Sequence, residues 1–237
     1  MINRSYFDAA PALWYSARTP EMVRRAAMPI ETLVAACVAQ IEVSHRAREQ
    51  AIGASRALIR QCANSIRAAH RAEFAEAERL LEEAGATVAQ IAAATAGRPE
   101  IRFAGYTQDA LKEFVEAHLV LAFLGGREPP GPAALGVEPA AYLNGLAEAA
   151  SELRRAILDG LRRGEVARGE TLLQTMDDVY SELVTVDYPD AVTGGLRRTT
   201  DALRAVVERT RGDMTAALRQ DQLTAAMHAL EQRLRED

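Results

Sequence analysis

Four glutamates are the residues here whose type and spacing best suit a reaction centre. Glu113 and Glu116 stand three positions apart, and Glu148 and Glu152 stand four apart. On a helix, either offset puts both carboxylates of a pair on one face. Where two such faces meet, the like charges repel unless a cation neutralises them. Hard divalent ions prefer oxygen donors, so Mg²⁺ or Mn²⁺ is the natural occupant. Such an ion activates water and stabilises the charge that develops as a phosphodiester is displaced. The alternative is two solvated helix faces, since glutamate-rich helices are common.

The second pattern is cationic. Arg56, Arg60, Arg67 and Arg71 recur at three-to-four spacing, with Asn64 on the same line. At ~100° per residue they span an arc of roughly 60°. Residues 44–71 carry six arginines and one acid, Glu49, so this rail suits phosphate contacts. Pairing with Glu73, Glu76 and Glu78 is the competing explanation. Lys112, the single lysine, adjoins Glu113. Glu42 and His45 form an E-x-x-H pair. Di-iron bundles use two such motifs, and His70, His118 and His228 have no glutamate three residues earlier, which argues against di-iron. Asp177, Asp178, Asp187 and Asp190 are further acids, the last two better suited to turns and caps. No phosphate-cradling glycine loop and no Ser/His/Asp arrangement is evident.

These residues must be positioned by helices. Aromatics are 5% of the chain and alanine supplies much of its 49% apolar share, a balance that favours helix over strand. Apolar periodicity and Gly/Pro stops predict helices over about 30–71, 72–96, 106–124, 139–162 and 165–186. A sixth is expected from an Asp190 N-cap, with a break near Gly212 or Gln220 before a short seventh. Residues 1–28, with Pro11, Pro20 and scattered aromatics such as Trp14, suggest an irregular arm. Residues 29–237 suggest one helical domain. The net charge of −5 means that any anion site must be local. Cys37 and Cys62 show no CxxC spacing, so buried thiols in a reducing cytoplasm are expected. No signal peptide is visible. The apolar run Leu119–Leu124 is too short to span a bilayer, so no membrane role is expected.

Two stretches carry a family resemblance. Gly105-Tyr-Thr-Gln-Asp-Ala-Leu-Lys-Glu-Phe-Val-Glu-Ala117 and Tyr142-Leu-Asn-Gly-Leu-Ala-Glu-Ala-Ala-Ser-Glu-Leu153 resemble the translin and translin-associated factor X (Trax) superfamily. The likeness continues through Leu172–Leu183 and Leu196–Asp201 and covers about residues 45–230. It implies an all-α, seven-helix bundle of long antiparallel helices. It also implies a hollow homo-oligomeric shell, an octamer by the family pattern, with RNA inside.

The family has an RNA-binding branch and a catalytic branch. The catalytic branch carries a metal-dependent endoribonuclease site on two adjacent helices. Glu113 and Glu116 match its first pair, and Glu152 matches the glutamate of its second. Glu148 stands where the catalytic branch has aspartate and the binding branch an apolar residue. The expected function is therefore Mg²⁺- or Mn²⁺-dependent cleavage of single-stranded or short duplex RNA. Glu113, Glu116, Glu148 and Glu152 would be ligands and catalytic groups, and Arg56, Arg60, Arg67, Arg71 and Lys112 would face RNA. Two alternatives are a non-catalytic RNA- or single-stranded-DNA-binding shell and an all-α nucleotide pyrophosphohydrolase, which also uses paired carboxylates.

Overall fold

The computed structural model describes residues 29–236. Regular structure among them is entirely helical. The long helices are α1 (Ile30–His70), α2 (Phe74–Ala94), α4 (Gly105–Gly125), α6 (Pro139–Leu161), α7 (Val166–Leu183) and α9 (Leu196–Glu236). One-turn helices α3 (Pro99–Arg102), α5 (Pro132–Leu135) and α8 (Asp190–Thr193) sit in the connections. The arm expected over residues 1–28 lies outside the described residues.

The chain divides into two compact units, Met1–His45 and Arg46–Asp237, and the division falls inside α1. Burial explains its position. Leu33, Val34, Val38 and Ile41 keep helical spacing yet are exposed. From Ala47 onward α1 buries about one position per turn, namely Ala47, Ala51, Ser55, Leu58, Cys62, Ile66 and Ala69. Cys37 is exposed and Cys62 buried, so only one of the two thiols is in the core.

Within the second unit, α4 and α6 are the central pair. Leu111, Val115, Leu119 and Val120 of α4 and Leu153 and Ile157 of α6 are fully buried, each contributing roughly 1.5–3 kcal/mol through lost apolar exposure. α6 also packs on α7 and α9, and α2 packs on α4. The closest approach is at Gly145. A Cβ there would lie 2.7 Å from the Lys112 carbonyl oxygen and 2.8 Å from Val115 Cβ. The two backbones can touch only because that Cβ is missing. Gly145→Ala is expected to force α4 and α6 apart, at about 1–3 kcal/mol of stability. Thermal denaturation of the variant checks it, and an unchanged melting temperature would show that the crossing can give.

Asn144, next in line, fixes the far end of α6. Its Nδ2 donates to the Ala140 carbonyl at 2.9 Å and the Thr193 carbonyl at 2.8 Å, and its Oδ1 accepts from Thr199 Oγ1 at 2.7 Å. This anchors the α8–α9 turn, where Gly194 and Gly195 take φ of 62° and 84°, a region costly for residues with a Cβ. Asp190 therefore opens the one-turn α8 rather than capping the last long helix. That helix also runs through Gly212 and Gln220 without the expected break. An exposed helical glycine costs about 1 kcal/mol relative to alanine. The burial of Leu203, Val207, Thr210 and Met214 offsets that and holds the helix straight through.

Candidate metal centre

The Gly145 crossing decides where the glutamates go. Lys112, whose carbonyl meets Gly145, precedes Glu113 by one residue, so the first carboxylate pair lies at the crossing. Glu148 follows Gly145 by three residues and joins it from α6. One carboxylate oxygen from each of Glu113, Glu116 and Glu148 lies within 4.8 Å of the others, and all three residues are partly buried. Glu152, one turn further along α6, stands outside that trio. Its Oε1 lies 2.9 Å from His70 Nε2.

The electrostatics show the strain of this arrangement. Burial, followed by the charges of Glu113, Glu148 and Glu152, pushes the Glu116 carboxyl up to about 8. Burial also raises Glu113, with Lys112 opposing and Glu148 and Asp109 adding to the rise. From α1, the buried Cys62 thiol is pushed upward by burial and then by Glu113 and Glu116. The residues that converge here, Glu113, Glu116 and Glu148, offer carboxylate oxygens. Oxygen donors short of positive charge fit Mg²⁺ or Mn²⁺. Glu113, Glu116 and Glu148 can hold such an ion, with Glu152 beside them.

Among the described residues, Lys112 is the cation that enters the cluster. Its Nζ donates to Glu148 Oε1 at 2.8 Å. Burial works against the ammonium, but the hydrogen bond and charge of Glu148, then Glu113 and Asp109, lift it above the ordinary lysine value. In this structure the ammonium of this candidate RNA contact is paired with Glu148.

The arginine stripe lies elsewhere. Arg56, Arg60 and Arg67 are exposed on α1, and Arg71 follows its end. Relative to Cys62, which faces the carboxylates, these positions fall roughly 120–180° around the helix. The stripe and the cluster therefore occupy opposite faces of α1. Arg71 is bound to Glu73, and Arg67 donates to Asn64. Arg56 and Arg60 have no carboxylate partner among the described residues. The remaining acids serve structure: Asp177 pairs with Arg211, Asp178 accepts from Gln174 and Asp187 pairs with Arg197. Glu42 and His45 are exposed positions in the other unit.

Sequence reasoning did not single out His70 or Cys62 for this site. The signal was periodicity, because His70 follows Ile66 by four and Cys62 by eight, both on the buried side of α1.

No protein-family model matches the chain. Over 169 residues it is 31% identical to the uncharacterized protein MJ0175 of Methanocaldococcus jannaschii, spanning 70% of this chain and 74% of that relative. It is similar to the crystal structure of AfC3PO, with TM-score 0.70 and 33% identity over 78% of this chain and 96% of that one. The structure of an AfC3PO–duplex RNA complex matches at the same TM-score and identity and is covered to 95%. Apo-NeC3PO shares the fold at TM-score 0.69 and 18% identity, over 81% of this chain and 99% of that one.

Proposed function

The chain belongs to the translin and Trax superfamily, and from that membership we propose that it is an RNA-binding shell protein that cleaves RNA with Mg²⁺ or Mn²⁺. The observation that carries this reading is the convergence of Glu113, Glu116 and Glu148 within 4.8 Å. Similarity to a protein whose structure was solved with duplex RNA supports RNA as the ligand. A divalent ion held by Glu113, Glu116 and Glu148 would supply Lewis acidity toward a phosphoryl oxygen and a water molecule. The residues of the chain supply the rest. Glu113, Glu116 and Glu148 fix the ion's charge complement, Lys112 restrains Glu148, and Glu152 sets a further negative charge where a water molecule gives up a proton. The test is purified protein with end-labelled single-stranded and duplex RNA, in Mg²⁺ or Mn²⁺ and in EDTA. Cleavage in metal alone is expected.

One observation favours the second reading, a shell that binds RNA without cutting it. The Lys112 ammonium already satisfies one acid of the cluster. A Mn²⁺ titration separates the two, because a binding-only shell gives no saturable site that Glu116→Gln removes. Assaying nucleoside triphosphate turnover alongside tests the pyrophosphohydrolase alternative.

Self-association has its own support. Leu223, Met227, Leu230 and Leu234 are each more than half exposed on α9, and their four-three-four spacing makes a single apolar seam. Leu33, Val34, Val38 and Ile41 expose another on α1. Apolar stripes left in water mark association surfaces. Light scattering is expected to give a large multiple of the 25.7 kDa chain mass, eightfold by the family pattern. Leu230→Asp with Leu234→Asp is expected to lower it. A mass near that of one chain at micromolar concentration excludes the shell.

Because the arginine stripe lies on the far face of α1 from the carboxylates, its phosphates belong to RNA away from the cleaved bond. Arg56→Ala with Arg60→Ala is expected to weaken RNA binding and flatten log affinity against log salt by about 1–2 units, at nearly one unit per lost phosphate contact. Turnover of saturating RNA should not change. An unaltered slope makes the stripe a structural face.

A further inference from the structure

The glutamate left outside the trio has a dedicated partner. His70 is the last residue of α1, and its side chain is 2% exposed while that of Glu152 is 31% exposed. Its Nε2 lies 2.9 Å from Glu152 Oε1. A carboxylate oxygen accepts, so the ring nitrogen Nε2 donates. Nδ1 is buried with no hydrogen-bond partner, so the imidazole is oriented by this one bond and by its packing. A cation, the Arg155 guanidinium, competes for the same oxygen. Arg155 Nη1 lies 3.9 Å from Glu152 Oε1, and its side chain is 55% exposed. Left to itself, a half-exposed glutamate would turn outward to a solvated guanidinium three residues along its own helix. The buried imidazole instead draws it inward, toward the end of α1 that underlies the carboxylates.

We propose that His70 is a positioning residue, which holds Glu152 at the edge of the carboxylate cluster and away from Arg155. This rests on the cluster being the metal-dependent centre described above. It splits the four acids by role. Glu113, Glu116 and Glu148 converge where α4 crosses α6, with Lys112 of α4 holding Glu148. Glu152 is brought to them by a hydrogen bond from a third helix, as outer partners commonly orient the groups around a metal. Fixing one oxygen on His70 leaves the other for the centre. It also ties the end of α1 to α6, so that the site's geometry reports the docking of α1.

Three substitutions separate positioning from packing. Glutamine places its Nε2 amide donor near the histidine Nε2, asparagine does not reach it, and leucine fills the space with no donor. The readouts are Mn²⁺ affinity from electron paramagnetic resonance titration and, separately, kcat and KM for RNA. His70→Gln is expected to stay within a few-fold of the unmodified protein. His70→Asn and His70→Leu are expected to bind Mn²⁺ about 10–100-fold more weakly and to lose kcat with KM unchanged. Adding Arg155→Ala to His70→Leu is expected to restore several-fold of the lost affinity by removing the competing cation, whereas Arg155→Ala alone leaves it unaltered. If the leucine variant fails to fold, the glutamine–asparagine contrast decides by itself. Equal Mn²⁺ affinities for those two overturn the inference, as does an asparagine variant that binds Mn²⁺ normally. An unmodified protein with no Mn²⁺ site overturns the metal-centre reading beneath it, and the two failures are thereby distinct.

Discussion

Glu116→Gln is expected to reduce RNA cleavage by about 100-fold or more, the scale seen when a preorganised electrostatic group or metal contact is lost. Burial first, and then the charges of Glu113, Glu148 and Glu152, raise the Glu116 carboxyl, so it carries most of the crowding in the cluster. Glutamine keeps the shape and removes the charge, so a divalent ion loses both a donor and part of its complement. The fold should not suffer. Removing one of several crowded acids relieves repulsion, and the metal-free variant is expected to melt above the metal-free parent at pH 8. RNA affinity should hold or rise slightly, because a negative charge near the phosphates has gone. The measurement is single-turnover cleavage, with light scattering on the same samples. Activity equal to that of the parent would show that Glu116 is not a ligand, and the metal-dependent reading would fail with it.

The second large effect is a dependence of stability on pH that metal reverses. The Glu116 carboxyl is raised in the folded chain to about 8, against roughly 4.3 for a free glutamate. A raised acid means that the folded state binds the proton more tightly than the unfolded state. Its stabilising effect is complete below the unfolded value and is lost as pH rises through the folded one. In EDTA, stability should therefore fall between about pH 4.5 and 8, by at most on the order of 4 kcal/mol. For a chain of this size that is about 10 °C in melting temperature. Glu113, raised in the same direction, adds to the slope. Mg²⁺ or Mn²⁺ needs the ionised form, so its stabilisation should be large at pH 8, roughly 3 kcal/mol at a hundredfold excess over the dissociation constant. It should shrink toward pH 5, where protons compete. Melting curves at fixed protein concentration, with EDTA or Mn²⁺ across that range, decide it. A metal-induced shift of equal size at pH 5.5 and 8 would mean that the ion binds elsewhere.

The helices were legible because their signals are local. Pro139 opens α6 at its first turn, and Gly126 closes α4 with φ of 63°. Both follow from backbone chemistry that no distant contact need supply. The pairing of Glu113 with Glu116 and of Glu148 with Glu152 is likewise a property of helical pitch. Expectations failed where packing outweighs propensity. Gly212 reads as a stop, but burial on either side carries α9 through it. Leu33 to Ile41 have the period of a core stripe yet are exposed, because a period says which residues share a face and not what lies against it.

The sequence by itself determined an all-helical chain, two acidic helix faces, an arginine rail and a likeness to one superfamily. Only the tertiary structure decided which of these meet. The contact of α4 with α6 depends on the atom that Gly145 lacks, and it gathers three glutamates while leaving the fourth to His70. The same crossing places Lys112 as a hydrogen-bond partner of Glu148. The direction in which Cys62 points puts the arginine rail behind α1 rather than over the carboxylates. Spacing along one helix fixes angles about that helix's own axis. The rotation and approach of one helix against another are set by side-chain volumes and charges from distant parts of the chain, and those become neighbours only on folding.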